Sequence, residues 1–321
     1  GRGGLRPTVT DADLVLGLLD ADNFLGGDMP LDKPAAERAV DRLAGELNVG
    51  RAQAAAGIYR VVAEAMAGAA RAHATDRGVD HRGLPLLAFG GAGPVHACAV
   101  GELLQSVAVI FPPQASVLSA FGALVTPVRL DLVRSALSRL DAMDWEVVDG
   151  LLREMTDEAM EALADAGVAP ADIRLKVGAD LRYTGQQNEV GVTFEADPIA
   201  ARDAEDIRRT FETAYFAQYG VNPSHVPIEI VSWRLTAQGP EDRAGGAKGP
   251  GEGQGRPTRA LQIPLWSDPA PTQVYARASL GRGQALSGPA LIEERETTIV
   301  LPPGWDAVVD ETGCITARRR V

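Results

Sequence analysis

The residues with the clearest chemical potential are Gly90, Gly91, Ala92, Gly93 and Pro94, which follow Leu86-Leu87-Ala88-Phe89 and precede an apolar helical pattern at 95–104. This order reads as a buried strand running through a glycine loop into a helix. Missing side chains would let backbone approach a flat ring or a sugar. The free N–H groups of the helix's first turn add a partial positive charge. The same glycines also suit a tight turn that needs positive φ, and the pattern alone leaves both readings open. His96 follows on the first helical turn, where an imidazole can touch a phosphate or substrate, or bond to neighbouring backbone. A second polar set, Arg182, Tyr183, Gln186 and Gln187, surrounds a turn. Its cation, phenol and amides can hold a carboxylate or a cyclic imide through directional hydrogen bonds, and turn chemistry explains the same residues.

Other chemistry is less well supported. Asp11 and Asp13 form a carboxylate pair on paper, but beside Thr10 they read as helix-capping groups. The histidines at 73, 81, 96 and 225 have no Cys or carboxylate at ligand spacing, so no metal site is expected. Cys98 lies two positions from His96 and would not face it on a helix, which makes it a core residue. Glu229 and Trp233 fall on one side of a regular strand, with Trp233 assigned to the core.

The elements that must position these groups follow from periodicity. Helical patterns occupy 11–18, 34–47 and 51–74. The strand at 84–89, the helix at 95–104 and a strand at 107–111 form a βαβ unit, which implies parallel pairing. A short helix at 116–124 and an extended segment at 125–133 come next. A helix at 145–166, a hairpin built from 173–183 and 190–194, a helix around 207–215 and a strand at 226–236 make an α+β unit. Residues 239–257 contain seven glycines and almost no apolar side chain, and they read as a flexible loop. Short strands punctuated by Pro and Gly fill the remainder. The expected domains are therefore 1–138, an α/β domain carrying the glycine loop; 139–238, α+β; the loop 239–257; and a small β-rich module, 258–321.

At 321 residues, 45% hydrophobic and 23% charged, the composition is that of a globular protein with a sizeable core. The net charge of −12 argues against nucleic acid as a partner. No apolar run approaches the roughly 18 residues of a membrane span. Two distant cysteines and the lack of a leader-like start point to a reducing, cytoplasmic setting.

Several segments in order resemble the family of ATP-dependent hydantoinase A, 5-oxoprolinase and acetone carboxylase β-subunits. They are Pro7-Thr8-Val9-Thr10-Asp11-Ala12-Asp13-Leu14-Val15-Leu16-Gly17, Phe24-Leu25-Gly26-Gly27, Ala88 through Ala97, Ser119-Ala120-Phe121-Gly122, Arg182-Tyr183-Thr184-Gly185-Gln186, Tyr219-Gly220, Ile228-Glu229-Ile230-Val231 and Gly288-Pro289-Ala290. The resemblance implies an α/β fold: the C-terminal part of an actin-like (ribonuclease H-like) ATPase core, followed by the α+β unit and the β-rich module. It implies that Gly90 to Pro94 approach the adenosine of ATP, with His96, Arg182, Tyr183 and Gln186 as further substrate or phosphate contacts. The family's Asp/Gly/Thr-rich phosphate loops are not in this sequence, so Mg²⁺ would be held mainly elsewhere and the chain is expected to be the C-terminal half of an enzyme. The implied reaction is ATP-driven opening of a hydantoin or 5-oxoproline, in partnership with a hydantoinase B-like subunit in a homo- or hetero-oligomer. The alternatives are a subunit of an ATP-dependent ketone carboxylase and a noncatalytic assembly piece.

Overall fold

The computed structural model describes residues 3–194, 202–223, 225–241, 254–267 and 270–320. The chain divides into two units, Gly1–Ala123 with Gly245–Val321, and Leu124–Ala244.

The first unit opens on helix α1, Val9–Leu16. Its N-cap is Thr8, two residues earlier than the Thr10 expected from sequence. Thr8 Oγ1 accepts from the Asp11 N–H at 3.2 Å, and the Asp11 carboxylate accepts from the Thr8 N–H at 2.7 Å. This reciprocal box satisfies two helix-end donors. Asp13 is therefore not a cap but lies inside the helix, buried. Helices α2, Lys33–Leu47, and α3, Arg51–Asp76, bury mostly alanines, whose small side chains let helices approach closely. Their core includes Leu16, Val40, Ala55 and Tyr59.

The βαβ unit consists of β1, Leu86–Leu87, α4, Gly93–Leu103, and β2, Val109–Phe111, with β1 and β2 parallel. Strand β1 departs from the expected buried strand. It forms the edge of its sheet, so Leu87 and Phe89 stay half exposed. Helix α4 presses on β2 at Gly101, where a Cβ would sit only 2.6 Å from Val109 Cγ2. Helix α5, Leu118–Val125, follows.

The expected C-terminal module does not stand apart. After β7 (Arg259–Leu261), β8 (Thr272–Ala276), β9 (Ala285–Ser287), β10 (Ala290–Glu293) and β11 (Thr298–Leu301) come β12, Trp305–Val309, and β13, Ile315–Arg319. Strand β13 pairs antiparallel with β2 through Ile315 with Phe111 and Ala317 with Val109, giving one sheet in the order β1-β2-β13-β12-β9. A second sheet, β11-β10-β8-β7, packs Val274, Leu291 and Val300 into the core shared with α1 to α3. The tail completes the first unit because β2 has a free side that the local sequence cannot fill.

The second unit is an antiparallel sheet, β3-β6-β4-β5. Its strands are β3, Arg129–Arg139, β4, Arg174–Tyr183, β5, Val190–Thr193, and β6, Ile228–Gln238; its helices are α6, Trp145–Asp165, and α7, Ala204–Tyr219. Strand β3 pairs with β6, so the unit begins before the expected boundary at 138. The helices bury Leu152, Met155, Ile207 and Phe211 with Leu181 and Trp233 of the sheet. An irregularity in β6 between Ile230 and Ser232 inserts an extra residue against β4, which reverses the facing of everything beyond it. Trp233 is fully buried, whereas Glu229 lies on the opposite side with Arg182, contrary to the expectation for a regular strand. The loop expected at 239–257 falls largely on residues 242–253, outside the described residues.

Candidate functional site

Gly90 turns the chain out of β1 with φ of 90°, and its N–H donates to the Ala115 carbonyl at 2.8 Å. From the other side Thr297 Oγ1, at the β10–β11 turn, donates to the Gly91 carbonyl at 2.7 Å. The loop is thus clamped between two distant segments. Gly90 has the backbone reason for glycine that a turn supplies. Gly91 and Gly93 do not: neither has positive φ, a Cβ at Gly91 would meet only the Glu296 carbonyl at 3.7 Å, and one at Gly93 would meet nothing within 4 Å. Pro94 is buried in the first turn of α4, where its missing N–H costs nothing.

Gly91 and Ala92 border a crevice of about 340 Å³. Leu19, Phe24, Val95 and Val117 give it apolar walls, while Asp13, Asp20 and the turn at 293–298 give it an acidic rim. Its volume lies at the lower end of small-molecule sites, roughly 300–1,000 Å³. The rim is partly neutralised. Arg259 bridges Glu293 at 2.6 Å and Asp20 at 2.7 Å, and Arg277 meets Glu294 at 2.5 Å. Burial raises the Glu294 carboxyl above its ordinary range, against the lowering effect of Arg277. At the mouth, the turn Phe24–Gly27 runs through left-handed backbone at Leu25, Gly26 and Gly27, and Arg295 packs over Gly26 and pairs with Asp28 at 2.8 Å.

His96 points inward rather than into the crevice. It is 2% exposed, its ring centroid lies 4.7 Å from that of Tyr59, and its Nε2 is 3.4 Å from Asp13 Oδ2 without hydrogen-bond geometry. Tyr59 donates its hydroxyl to the Val95 carbonyl at 3.1 Å, and burial pushes its phenol pKa up. Cys98 is buried in the core of this unit, and burial raises its thiol pKa. Asp13, read from sequence as a cap, lines the crevice. Its one advance signal was a carboxylate inside an otherwise apolar helical stripe.

Arg182, Tyr183 and Gln186 belong to the second unit and have partners within it. Arg182 Nε donates to Glu229 at 3.1 Å, Gln186 Nε2 donates to the Tyr215 hydroxyl at 2.8 Å, and the buried Tyr183 ring packs edge-on against Phe211 and Tyr215. A wide hollow of about 780 Å³ on the open sheet face of that unit is lined by polar groups, and its Arg129–Asp131 and Arg234–Asp180 pairs bond to each other. Among the described residues, no three His, Cys, Asp or Glu side chains are placed to hold a metal ion, and no helix is long and apolar enough to cross a membrane.

The chain is thus a mixed α/β protein of several sheets with a bare glycine loop beside a crevice of small-molecule size. The hydantoinase/oxoprolinase family model matches residues 1–132, and the model of that family's C-terminal domain matches 138–226 and 263–319. The chain belongs to the hydantoinase/oxoprolinase family. It is 31% identical to caprolactamase subunit alpha of Pseudomonas jessenii over 97% of this chain and 46% of that protein. It is also 31% identical to the acetophenone carboxylase gamma subunit of Aromatoleum aromaticum, over 97% of this chain and 44% of that one. The crystal structure of ATP-dependent caprolactamase from Pseudomonas jessenii superposes with a TM-score of 0.71 at 29% identity, covering 99% of this chain and 48% of that chain. The chain thus spans less than half the length of these relatives.

Proposed function

We propose that the protein to which this chain belongs uses ATP to open a cyclic amide or imide of the hydantoin, 5-oxoproline or lactam type. In this reading the first unit is the C-terminal part of an actin-like ATPase core. Gly91 and Ala92 approach the base and sugar, Gly90 and Pro94 shape the loop, and Gly93 leaves the start of α4 bare. Mg²⁺ and the phosphates are held mainly by segments outside this chain, with a hydantoinase B-like subunit as partner in a cytoplasmic assembly. When bound, ATP supplies the phosphoryl group that turns a stable amide into an electrophile open to water.

The observation that carries this reading is that Gly91 and Gly93 lack a side chain although neither backbone strain nor packing demands it. Exposed backbone beside an apolar slot is what a purine nucleotide needs, and the family's ATP-dependent caprolactamase gives the chemistry its class. Gly91→Val and Gly93→Val should weaken ATP binding by roughly tenfold or more while leaving the melting temperature within a few degrees, because branches at Gly91 enter the crevice and those at Gly93 cover the bare start of α4 that the ligand approaches. Titration calorimetry on the full-length protein measures this, and unchanged affinity in both variants overturns the assignment.

The 31% identity to an acetophenone carboxylase subunit supports a second reading, a subunit of an ATP-dependent ketone carboxylase. ATP turnover stimulated by hydantoin, 5-oxoproline or caprolactam supports the first reading, and turnover stimulated by ketone plus bicarbonate supports the second. In a third reading this chain alone is a noncatalytic assembly piece, which hydrolyses no ATP in isolation and raises turnover on mixing with an upstream half or a hydantoinase B-like subunit.

A further inference from the structure

We propose that Asp13 reads the exocyclic amino group of adenine and so selects adenine over 6-oxopurines, an inference that rests on the nucleotide reading above. Asp13 is 3% exposed, lines the crevice, and its Oδ1 has no hydrogen-bond partner among the described residues. A buried acceptor left unpaired is costly, and a ligand that brings a donor to it regains that cost on binding. His96 Nε2 lies against the other carboxylate oxygen, Oδ2, at 3.4 Å, and the Tyr59 hydroxyl is already committed to the Val95 carbonyl, so Oδ1 is the oxygen left for a ligand.

The surroundings narrow the class of donor. Leu19, Phe24, Val95 and Val117 favour a flat, neutral ring over a sugar with many hydroxyls. Arg259, Arg277 and Arg295 only partly neutralise the carboxylates of Asp13, Asp20, Glu293, Glu294 and Glu296 around the crevice, so it still disfavours phosphate and a nucleotide enters base first with its charged end outward. Adenine then presents N6–H to Asp13, whereas hypoxanthine and guanine present a carbonyl oxygen at the same position. Two acceptors facing each other in a buried site repel, which is the form of discrimination that unpaired polar groups enforce most strongly.

Nucleosides test this without any need for phosphate-binding loops. Adenosine, inosine and purine riboside are titrated into the protein by calorimetry, for wild type and Asp13→Asn. Adenosine is expected to bind wild type roughly tenfold or more tighter than inosine and than purine riboside, which has hydrogen in place of the amine. The Asn amide can turn its NH₂ toward the inosine carbonyl, so the adenosine-to-inosine ratio should fall toward one in the variant. Equal binding of the three by wild type, or an unchanged ratio in Asp13→Asn, overturns the role of Asp13 while leaving the nucleotide reading in place. Failure of adenosine to bind a full-length protein that binds ATP overturns the role of Asp13, and failure of adenosine and ATP alike overturns the nucleotide reading itself. If Asp13→Asn does not fold, the wild-type comparison of adenosine with purine riboside still decides.

Discussion

Arg277→Leu should be among the most damaging single changes outside the glycine loop. Arg277 and Glu294 are 11% and 10% exposed at the side chain, and the guanidinium also donates to the carbonyls of Phe111 and Gly313, each at 2.9 Å. It therefore ties the C-terminal strands to the end of β2. Removing one partner of a buried pair costs about 3–5 kcal/mol, mainly because the other charge stays buried without compensation. The pH dependence follows from Glu294. Its carboxyl is already raised above 4.5 by burial and held back by Arg277, so in the variant it rises further. An acid whose folded pKa lies above its unfolded value destabilises the fold as pH climbs through that interval, and the loss is complete above the folded pKa. The deficit should therefore be largest near pH 8 and should shrink toward pH 4.5. Urea unfolding of wild type and variant at both pH values measures it. A deficit independent of pH, or one below about 1 kcal/mol, would refute the buried-pair reasoning. Arg277→Leu combined with Glu294→Leu should recover much of the loss, since no charge remains buried.

Thr8→Ala removes the capping box of α1 and should cost about 1 kcal/mol in urea unfolding; an unchanged midpoint would mean that the helix starts elsewhere. Gly101→Val forces branches into the space between α4 and β2, where even a Cβ comes 2.6 Å from Val109, and should cost about 1–3 kcal/mol. A gain in stability instead would show that the helix stands farther from the strand.

Much of the local structure was legible because it is local. The 3.6-residue stripes of α2, α3, α6 and α7, the period-2 alternation of β4 and β5, and the Gly220 stop each depend on neighbours within a few residues. The strand-loop-helix context of Gly90 to Pro94 was legible for the same reason. Errors arose where a residue's partner was distant or a single residue altered the count. The extra residue in β6 reversed the faces of Glu229 and Trp233, and no periodicity shows a bulge in advance. His96 stays open in the sequence between a ligand contact and a structural role because its position after the loop is visible there, whereas its packing against Tyr59 and Asp13 is not.

The order of segments by itself determined the elements, the family resemblance and the bare loop between β1 and α4, since each is written in nearby residue types. Tertiary structure alone decided that β13 completes the sheet beside β2, that Arg277 locks that junction, and that Asp13 faces a crevice instead of capping a helix. These features come from contacts between residues far apart in the chain, whose energies depend on burial and register that only the assembled core defines.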